Sequence, residues 1–466
     1  MRRLIFCVFI LCGLCLGLAL GEEAQDITAK CTITASNGGL YNALDGSLKT
    51  YWKAESGSQI IIELPENVTP GGVLVEWFEE TDAYTYALYD ANKSLIEKRT
   101  NEDYFVCLNQ YVTLTEDTRY LKIMPGRGDR ISRLHVYGAG TLPGSVQVWQ
   151  PPVQKADLML ISTHQDDEEL WFGGTIPYYA VQRGDSLIVV YMASCGRIRR
   201  GEALDGLWAM GVVNYPEFLM LKDENSKSYE AAVRTWGGEN AILNVLTDVI
   251  RKYKPEVIVT HDLKGEYGHP QHMVVARHIK GAVEAAADAK RFPNSASLYG
   301  AWDVKKLYLH LGSENVIYMD WETPATELDG KTPIEVAGIG FSKHETQQQF
   351  YSMEQGKIYD NTKFSLVYST VGSDVYKDDM LENTIADPRL KPTPTPTPTI
   401  KPTPEPTPPP TIEPTPEPKK QEKTSKAGRL WIYAGIGLAA GLAYNVSLKK
   451  KNRRRGKKKK GKAKTR

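Results

Sequence analysis

From Ala156 onward the chain alternates short apolar runs with longer amphipathic stretches, and that alternation admits few folds. The runs are Leu158–Ser162, Ser186–Met192, Glu217–Leu221, Glu256–Thr260 and Lys306–His310. Between and after them, helices are expected at Glu168–Arg183, Gly201–Met210, Ser228–Tyr253, Pro270–Ala287 and Ser342–Gln355. Strands separated by helical stretches predict a mostly parallel sheet with helices on both faces, an α/β domain over residues 155–385. In open sheets of this kind, ligand chemistry gathers just beyond the carboxyl ends of the strands.

Two of those ends carry chemistry. His164-Gln165-Asp166-Asp167-Glu168 follows the first run and precedes Gly173-Gly174, while the fourth run ends in His261-Asp262 and leads to Gly268-His269-Pro270-Gln271-His272. His164, Asp167 and His272 together make two imidazoles and one carboxylate, a three-ligand set that leaves room for water. Such donors suit Zn²⁺; Fe²⁺ or another divalent metal on the same set is the other reading. A divalent cation brings the deprotonation of water toward neutral pH. Asp166, beside a ligand, is then the candidate general base, and His269 the candidate proton donor or oxyanion partner. Those parts make an amide hydrolase. The bland readings fall elsewhere: His261, His278 and His310 read as structural, His135 has no functional case, and Cys195 reads as a small turn residue.

Residues 27–140 follow a different rule. Gln59–Leu64, Gly72–Trp77, Tyr120–Met124 and Ser132–Gly138 are short strand-like runs split by turn residues, the spacing of a β-sandwich. Asn42-Ala-Leu-Asp-Gly46, Thr50-Tyr-Trp52 and the closing Arg133–Gly138 resemble the discoidin-like (galactose-binding-like) sandwich domain, which implies glycan binding through variable end loops. Trp52 itself reads as core.

The α/β segment resembles the PIG-L (LmbE-like) N-acetylsugar deacetylases. Their signature is His-Pro-Asp-Asp-Glu after the first strand and Gly-His-x-Asp-His at the start of a later helix. Arg199-Arg200-Gly201-Glu202 and His344-Glu345-Thr346-Gln347 echo two further elements, in the same order. The resemblance implies a Rossmann-like fold and hydrolysis of the N-acetyl amide of a GlcNAc-type sugar. It also implies His164, Asp167 and His272 as zinc ligands, Asp166 as base, His269 as acid or oxyanion partner, and Arg199 and His344 as substrate contacts. Two positions depart from the pattern. Gln165 replaces Pro and removes no ligand. Gln271 replaces the Asp that pairs with the catalytic His in the family, and an amide does not favour imidazolium as a carboxylate does. Asp262 is the candidate substitute.

The ends of the chain set the expected location. Met1-Arg2-Arg3 and the apolar run to Leu20 read as a signal peptide over 1–21. Residues 386–428 are a Pro/Thr-rich spacer, 429–448 are long and apolar enough for a transmembrane helix, and 449–466 hold thirteen Lys or Arg with no acid. The expectation is a Gram-positive surface protein, secreted and anchored by its C-terminal helix. The net charge of +1 hides the split: without the tail the body carries about −12, a poor match for nucleic acid. Cys7, Cys12 and Cys15 fall in the leader. Cys31, Cys107 and Cys195 remain, so a Cys31–Cys107 bridge with one free thiol is the simplest oxidising arrangement.

Two other classes compete with the hydrolase. One is a glycan-binding adhesin with a weakened catalytic domain, argued from Gln271. The other is an iron oxygenase on the same triad.

Overall fold

The computed structural model describes residues 22–223 and 227–390. Nine strands form the N-terminal sandwich: β1 Thr32–Ala35, β2 Trp52–Lys53, β3 Ile60–Glu63, β4 Pro70–Trp77, β5 Tyr84–Tyr89, β6 Leu95–Thr100, β7 Asn109–Thr113, β8 Tyr120–Pro125 and β9 Arg130–Gly138. They pair antiparallel in two sheets, β1-β3-β8-β5-β6 and β2-β9-β4-β7. Alternation explains the layers. Ile60 and Ile62 point inward from β3, Leu121 and Ile123 from β8, and Val73 and Val75 from β4, closing a core around the fully buried Trp52 and Trp77.

The second layer system is a seven-stranded sheet. Its strands are β10 Leu158–Ser162, β11 Leu187–Ser194, β12 Glu217–Lys222, β13 Val257–Thr260, β14 Lys306–His310, β15 Val316–Tyr318 and β16 Lys363–Ser369. The order is β12-β11-β10-β13-β14-β16-β15. The first five run parallel, and β16 and β15 close the edge antiparallel. Helices α1 Asp167–Leu170, α2 Gly196–Ala209, α3 Tyr229–Thr235, α4 Glu239–Tyr253, α5 Pro270–Ala287, α6 Pro293–Tyr299 and α7 Pro333–Phe341 complete the domain. Two apolar clusters line its two faces, Leu158 and Leu160 belonging to one, Met159 and Ile161 to the other. The chain leaves β10 toward β11 on one side, while β13 lies on the other. Strand order therefore reverses between β10 and β13, and side chains beyond their carboxyl ends share one crevice.

The sandwich packs directly on α2 and its neighbours. Arg197 Nε donates to the Trp77 carbonyl at 2.8 Å, and the Leu108 N–H donates to the Tyr215 hydroxyl at 3.0 Å. Cys107, Leu108 and Trp149 belong to the apolar cluster of the α/β sheet.

Several expectations need correction. The helix expected over 168–183 is interrupted rather than continuous: α1 ends at Leu170 and a π-helical turn follows at Pro177–Gln182, because Gly173 and Gly174 pack against Trp321; a Cβ at Gly174 would lie 2.7 Å from Pro333 Cβ. The helix expected over 228–253 is two, broken at Gly237 and Gly238, both with φ near +90°. Residues 342–355 form turns, and the helix at this point is the earlier α7, opened by a Thr332–Glu335 capping box with Pro333 in its first turn. Cys31 and Cys107 are both free: Cys31 packs on the sandwich core, whereas Cys107 faces the α/β domain and donates to the Asn109 carbonyl.

The largest correction concerns the membrane. No helix among the described residues is long and apolar enough to cross one. The longest, α5, has 18 residues but carries Arg277, Lys280 and Glu284 and packs in the α/β domain. The described residues therefore do not bear out the expected transmembrane helix or the anchored surface location. The leader at 1–21, the apolar segment at 429–448 and the basic tail at 449–466 lie outside the described residues.

Candidate metal centre

The loop after β10 and the N-terminus of α5 meet at the β10–β13 crevice. His164 follows β10, Asp167 opens α1, and His272 sits in the first turn of α5. His164 Nδ1 lies 3.2 Å from Asp167 Oδ2 and 3.1 Å from His272 Nε2, and His272 Nε2 lies 3.2 Å from Asp167 Oδ2. Three donor atoms thus form a nearly equilateral face. Tetrahedral zinc with bonds of about 2.0 Å has ligand atoms about 3.3 Å apart, so the face fits such an ion.

Hydrogen bonds behind the ligands aim them. His272 Nδ1 meets Glu266 Oε2 at 2.7 Å, leaving Nε2 to face the centre. Trp171 Nε1 donates to Asp167 Oδ1 at 2.7 Å and the His164 N–H to Oδ2 at 2.7 Å, which fixes the carboxylate with Oδ2 toward the two imidazoles. His261 also approaches, 3.6 Å from Asp167 Oδ2, but its Nε2 accepts the Thr163 N–H at 2.9 Å, so that lone pair is already used.

The charges describe a cage for a cation. Burial works against the Asp167 carboxylate, yet His272 and His164 outweigh it and hold Asp167 well below the usual range. Burial likewise opposes a charged His272, but Asp167 and Glu266 raise it to about 10. A proton at His272 Nε2 therefore stands where a metal ion would sit, and metal loading would displace it.

Asp166 lies beside this face with φ 135° and ψ −21°, a conformation costing a non-glycine residue about 1–3 kcal/mol. Its N–H donates to Glu168 Oε2 at 2.8 Å, and Arg199 donates both to its Oδ1 at 2.5 Å and to the Gln165 carbonyl, pinning the loop. Burial lifts the Asp166 carboxyl to about 7, against the pull of Arg199 and with the push of Asp167. His269 stacks edge-on to His164, ring centroids 4.7 Å apart. Burial and then the His272 and His164 charges push it down to about 2, and its Nδ1 is buried without a hydrogen-bond partner.

Each residue expected from the sequence can now be placed. His164, Asp167, His272, Asp166 and His269 converge, and Arg199 reaches them through Asp166. His344 is fully buried beneath the crevice, 3.4 Å from both Glu168 and Glu169. Asp262 turns away from His269: its carboxylate caps the Lys264 N–H and its own N–H donates to Glu266. Gln271 also leaves His269 alone and bonds His164 and the Lys222 carbonyl. Gln165, in place of Pro, ties the loop to the Ala193 carbonyl.

The residue sequence reasoning missed is Glu266. Fully buried, it accepts from Nδ1 of His261, His272 and His310 at 2.9, 2.7 and 2.7 Å and from the Asp262 N–H. The cluster of His261 and His310 at strand ends was its only sequence signal. Also missed was an aromatic rim: Tyr267 lies 5.8 Å from both Trp171 and Tyr351, and Tyr359 lies 5.7 Å from Trp171. Tyr267 is 43% exposed, so the rim opens to solvent.

Residues 159–283 match a family model described as PIG-L, GlcNAc-PI de-N-acetylase. Among curated proteins, a 1D-myo-inositol 2-acetamido-2-deoxy-alpha-D-glucopyranoside deacetylase from Rhodococcus opacus is 32% identical over 182 residues, covering 32% of this chain and 60% of that protein. Proteins of the same name from Rhodococcus jostii and Geodermatophilus obscurus are 31% and 29% identical. The alignments cover 32% and 37% of this chain, and 60% and 69% of those proteins. The chain thus spans about 60% of the length of the first of these relatives. Among solved structures, a conserved protein from Thermus thermophilus has a TM-score of 0.30 at 19% identity, covering 41% of this chain and 80% of that one. The lectin domain of lectinolysin complexed with Lewis B antigen has a TM-score of 0.22 at 14% identity, covering 26% and 100%.

Proposed function

From the premise that residues 159–283 form a PIG-L family domain, we propose that the chain is a zinc-dependent deacetylase hydrolysing the N-acetyl amide of a GlcNAc-type sugar or glycan. The observation that carries this reading is the three-atom face of His164, Asp167 and His272, 3.1–3.2 Å on each side, with Asp166 against it. His164 Nδ1, Asp167 Oδ2 and His272 Nε2 would hold the ion. A bound divalent cation of this kind polarises an amide carbonyl and eases the deprotonation of water.

The chain's own groups do the rest. Asp166, against the donor face and raised by burial in the metal-free chain, would take a proton from water as general base. Arg199 holds Asp166 at its strained angle and faces the crevice as a contact for the sugar. His269 stays neutral, which suits an N–H steadying the developing oxyanion better than a charged acid. Tyr267, Tyr351 and Tyr359 offer ring faces to the sugar at the mouth. His344, between Glu168 and Glu169, supports the floor of the loop. In the sandwich, a cavity of about 930 Å³ bordered by Asn37, Asn42, Tyr51 and Arg127 is the place for a second stretch of glycan.

The test is acetate release by the purified chain from N-acetylglucosamine and its oligomers, with and without a chelator. The proposal expects release that a chelator abolishes and zinc restores. No acetate across a broad glycan panel would overturn it and leave the competing reading, a glycan-binding protein without turnover.

A further inference from the structure

Gln271 stands where the family pattern has an acid serving the catalytic histidine, yet here its side chain points elsewhere. Its Nε2 lies 3.0 Å from the Lys222 carbonyl, which can only accept. That fixes the amide: Oε1 is the end 2.9 Å from His164 Nε2. An amide oxygen only accepts, so His164 Nε2 carries a proton, and in the neutral ring that binds a metal Nδ1 carries the lone pair. Nδ1 is the atom that faces Asp167 Oδ2 and His272 Nε2. Asp223 Oδ1, at 3.8 Å from His164 Nε2, lies beyond hydrogen-bond reach. Gln271 is fully buried, so water does not compete for its oxygen.

We propose that Gln271 is a positioning residue for the metal site: by accepting from His164 Nε2 and anchoring to β12, it locks the tautomer that turns His164 Nδ1 into a ligand. The substitution at 271 is thus a reassignment from the proton-transferring histidine to a ligand histidine. The same logic governs the other imidazole, where Glu266 accepts from His272 Nδ1 and leaves Nε2 inward. One ligand is braced by an amide from α5, the other by a carboxylate from the preceding loop. This inference rests on the metal reading of the triad, but not on deacetylation.

The test uses the whole chain and zinc alone. Competition with a chromogenic chelator should show Gln271→Leu binding zinc about 10–100-fold more weakly than the parent, the usual effect of losing such a brace. Gln271→Glu, which keeps an acceptor for His164, should recover most of that loss. Parent-like affinity in Gln271→Leu, or equal weakness in both variants, would overturn the assignment. A second measurement needs no variant: the imidazole ¹⁵N resonances of the metal-free parent should place the His164 proton on Nε2, and a proton on Nδ1 would overturn it. Zinc affinity and the spectrum are read independently of acetate, so a chain that passes both yet releases no acetate sinks the deacetylase reading only.

Discussion

Glu266→Gln is the perturbation whose size follows most directly from the structure. The parent carboxylate receives four N–H groups, from His261, His272, His310 and Asp262, at 2.7–3.1 Å in a fully buried site. Glutamine has the same shape but one acceptor oxygen, so two of the four donors must face its NH₂ whichever way the amide turns. A buried donor left unsatisfied costs about 1–3 kcal/mol, giving roughly 2–6 kcal/mol in all. For a domain of this size that is a fall in Tm of roughly 4–24 °C by calorimetry. The two imidazoles on Oε2 can escape the clash by moving a proton from Nδ1 to Nε2, but on His272 that blocks the ligand atom. Zinc affinity should therefore drop about 10–100-fold alongside Tm. If Glu266 merely fills space, the isosteric variant should keep Tm within about 1 °C and zinc affinity within about twofold. That result would refute the reasoning.

Two further outcomes are expected. Burial and Asp26 push the Cys31 thiol up to about 11, burial and Glu80 push Cys107 up to about 12, and burial pushes Cys195 up as well. Alkylation at about pH 8 followed by peptide mass analysis should label all three efficiently only after denaturation, since the thiolate is the reactive form; a linked Cys31–Cys107 peptide would contradict this. Glu80, facing Tyr215 between sandwich and α/β domain, is raised above the ordinary carboxylate range by burial, so the folded chain binds its proton more tightly than the unfolded chain. Stability is then lost as pH rises from the unfolded value through the raised folded value. Glu80→Gln, which cannot ionise, should gain on the parent in urea denaturation as pH rises above the unfolded carboxyl value of about 4, and parallel curves would argue against it.

What the sequence made legible is what local pattern encodes. Leu158–Ser162, Lys306–His310 and Pro270–Ala287 coincide with β10, β14 and α5, because an unbroken apolar run or a Pro-led amphipathic repeat needs no distant partner to be read. His164, Asp167 and His272 could be gathered because each follows a strand whose neighbour is set by the parallel topology. Glu266 was not legible: a single acid between two glycines acquires its role only when β13, β14 and α5 bring three imidazoles to it. The merged helices fail for a related reason. Gly173-Gly174 and Gly237-Gly238 read as tolerable inside helical patterns, and only Trp321 against the first pair and the left-handed backbone of the second reveal them as breaks. Strands β1, β2, β5, β6 and β7, short or rich in Tyr, Thr and other polar residues, lack the apolar run that marks β3, β4, β8 and β9. Thr332-Pro333 with Glu335 is a local helix start, a capping box with Pro in the first turn, that the polar stretch after it obscures.

The measurement closest to the central claim is the metal content of three chains purified alike: parent, Asp166→Ala and His164→Ala, with acetate release beside it. Because Asp166 borders the donor face without joining it, Asp166→Ala should retain zinc near one equivalent and lose turnover, while His164→Ala should lose both. Equal loss of zinc in the two variants would contradict the division between holding the ion and moving the proton.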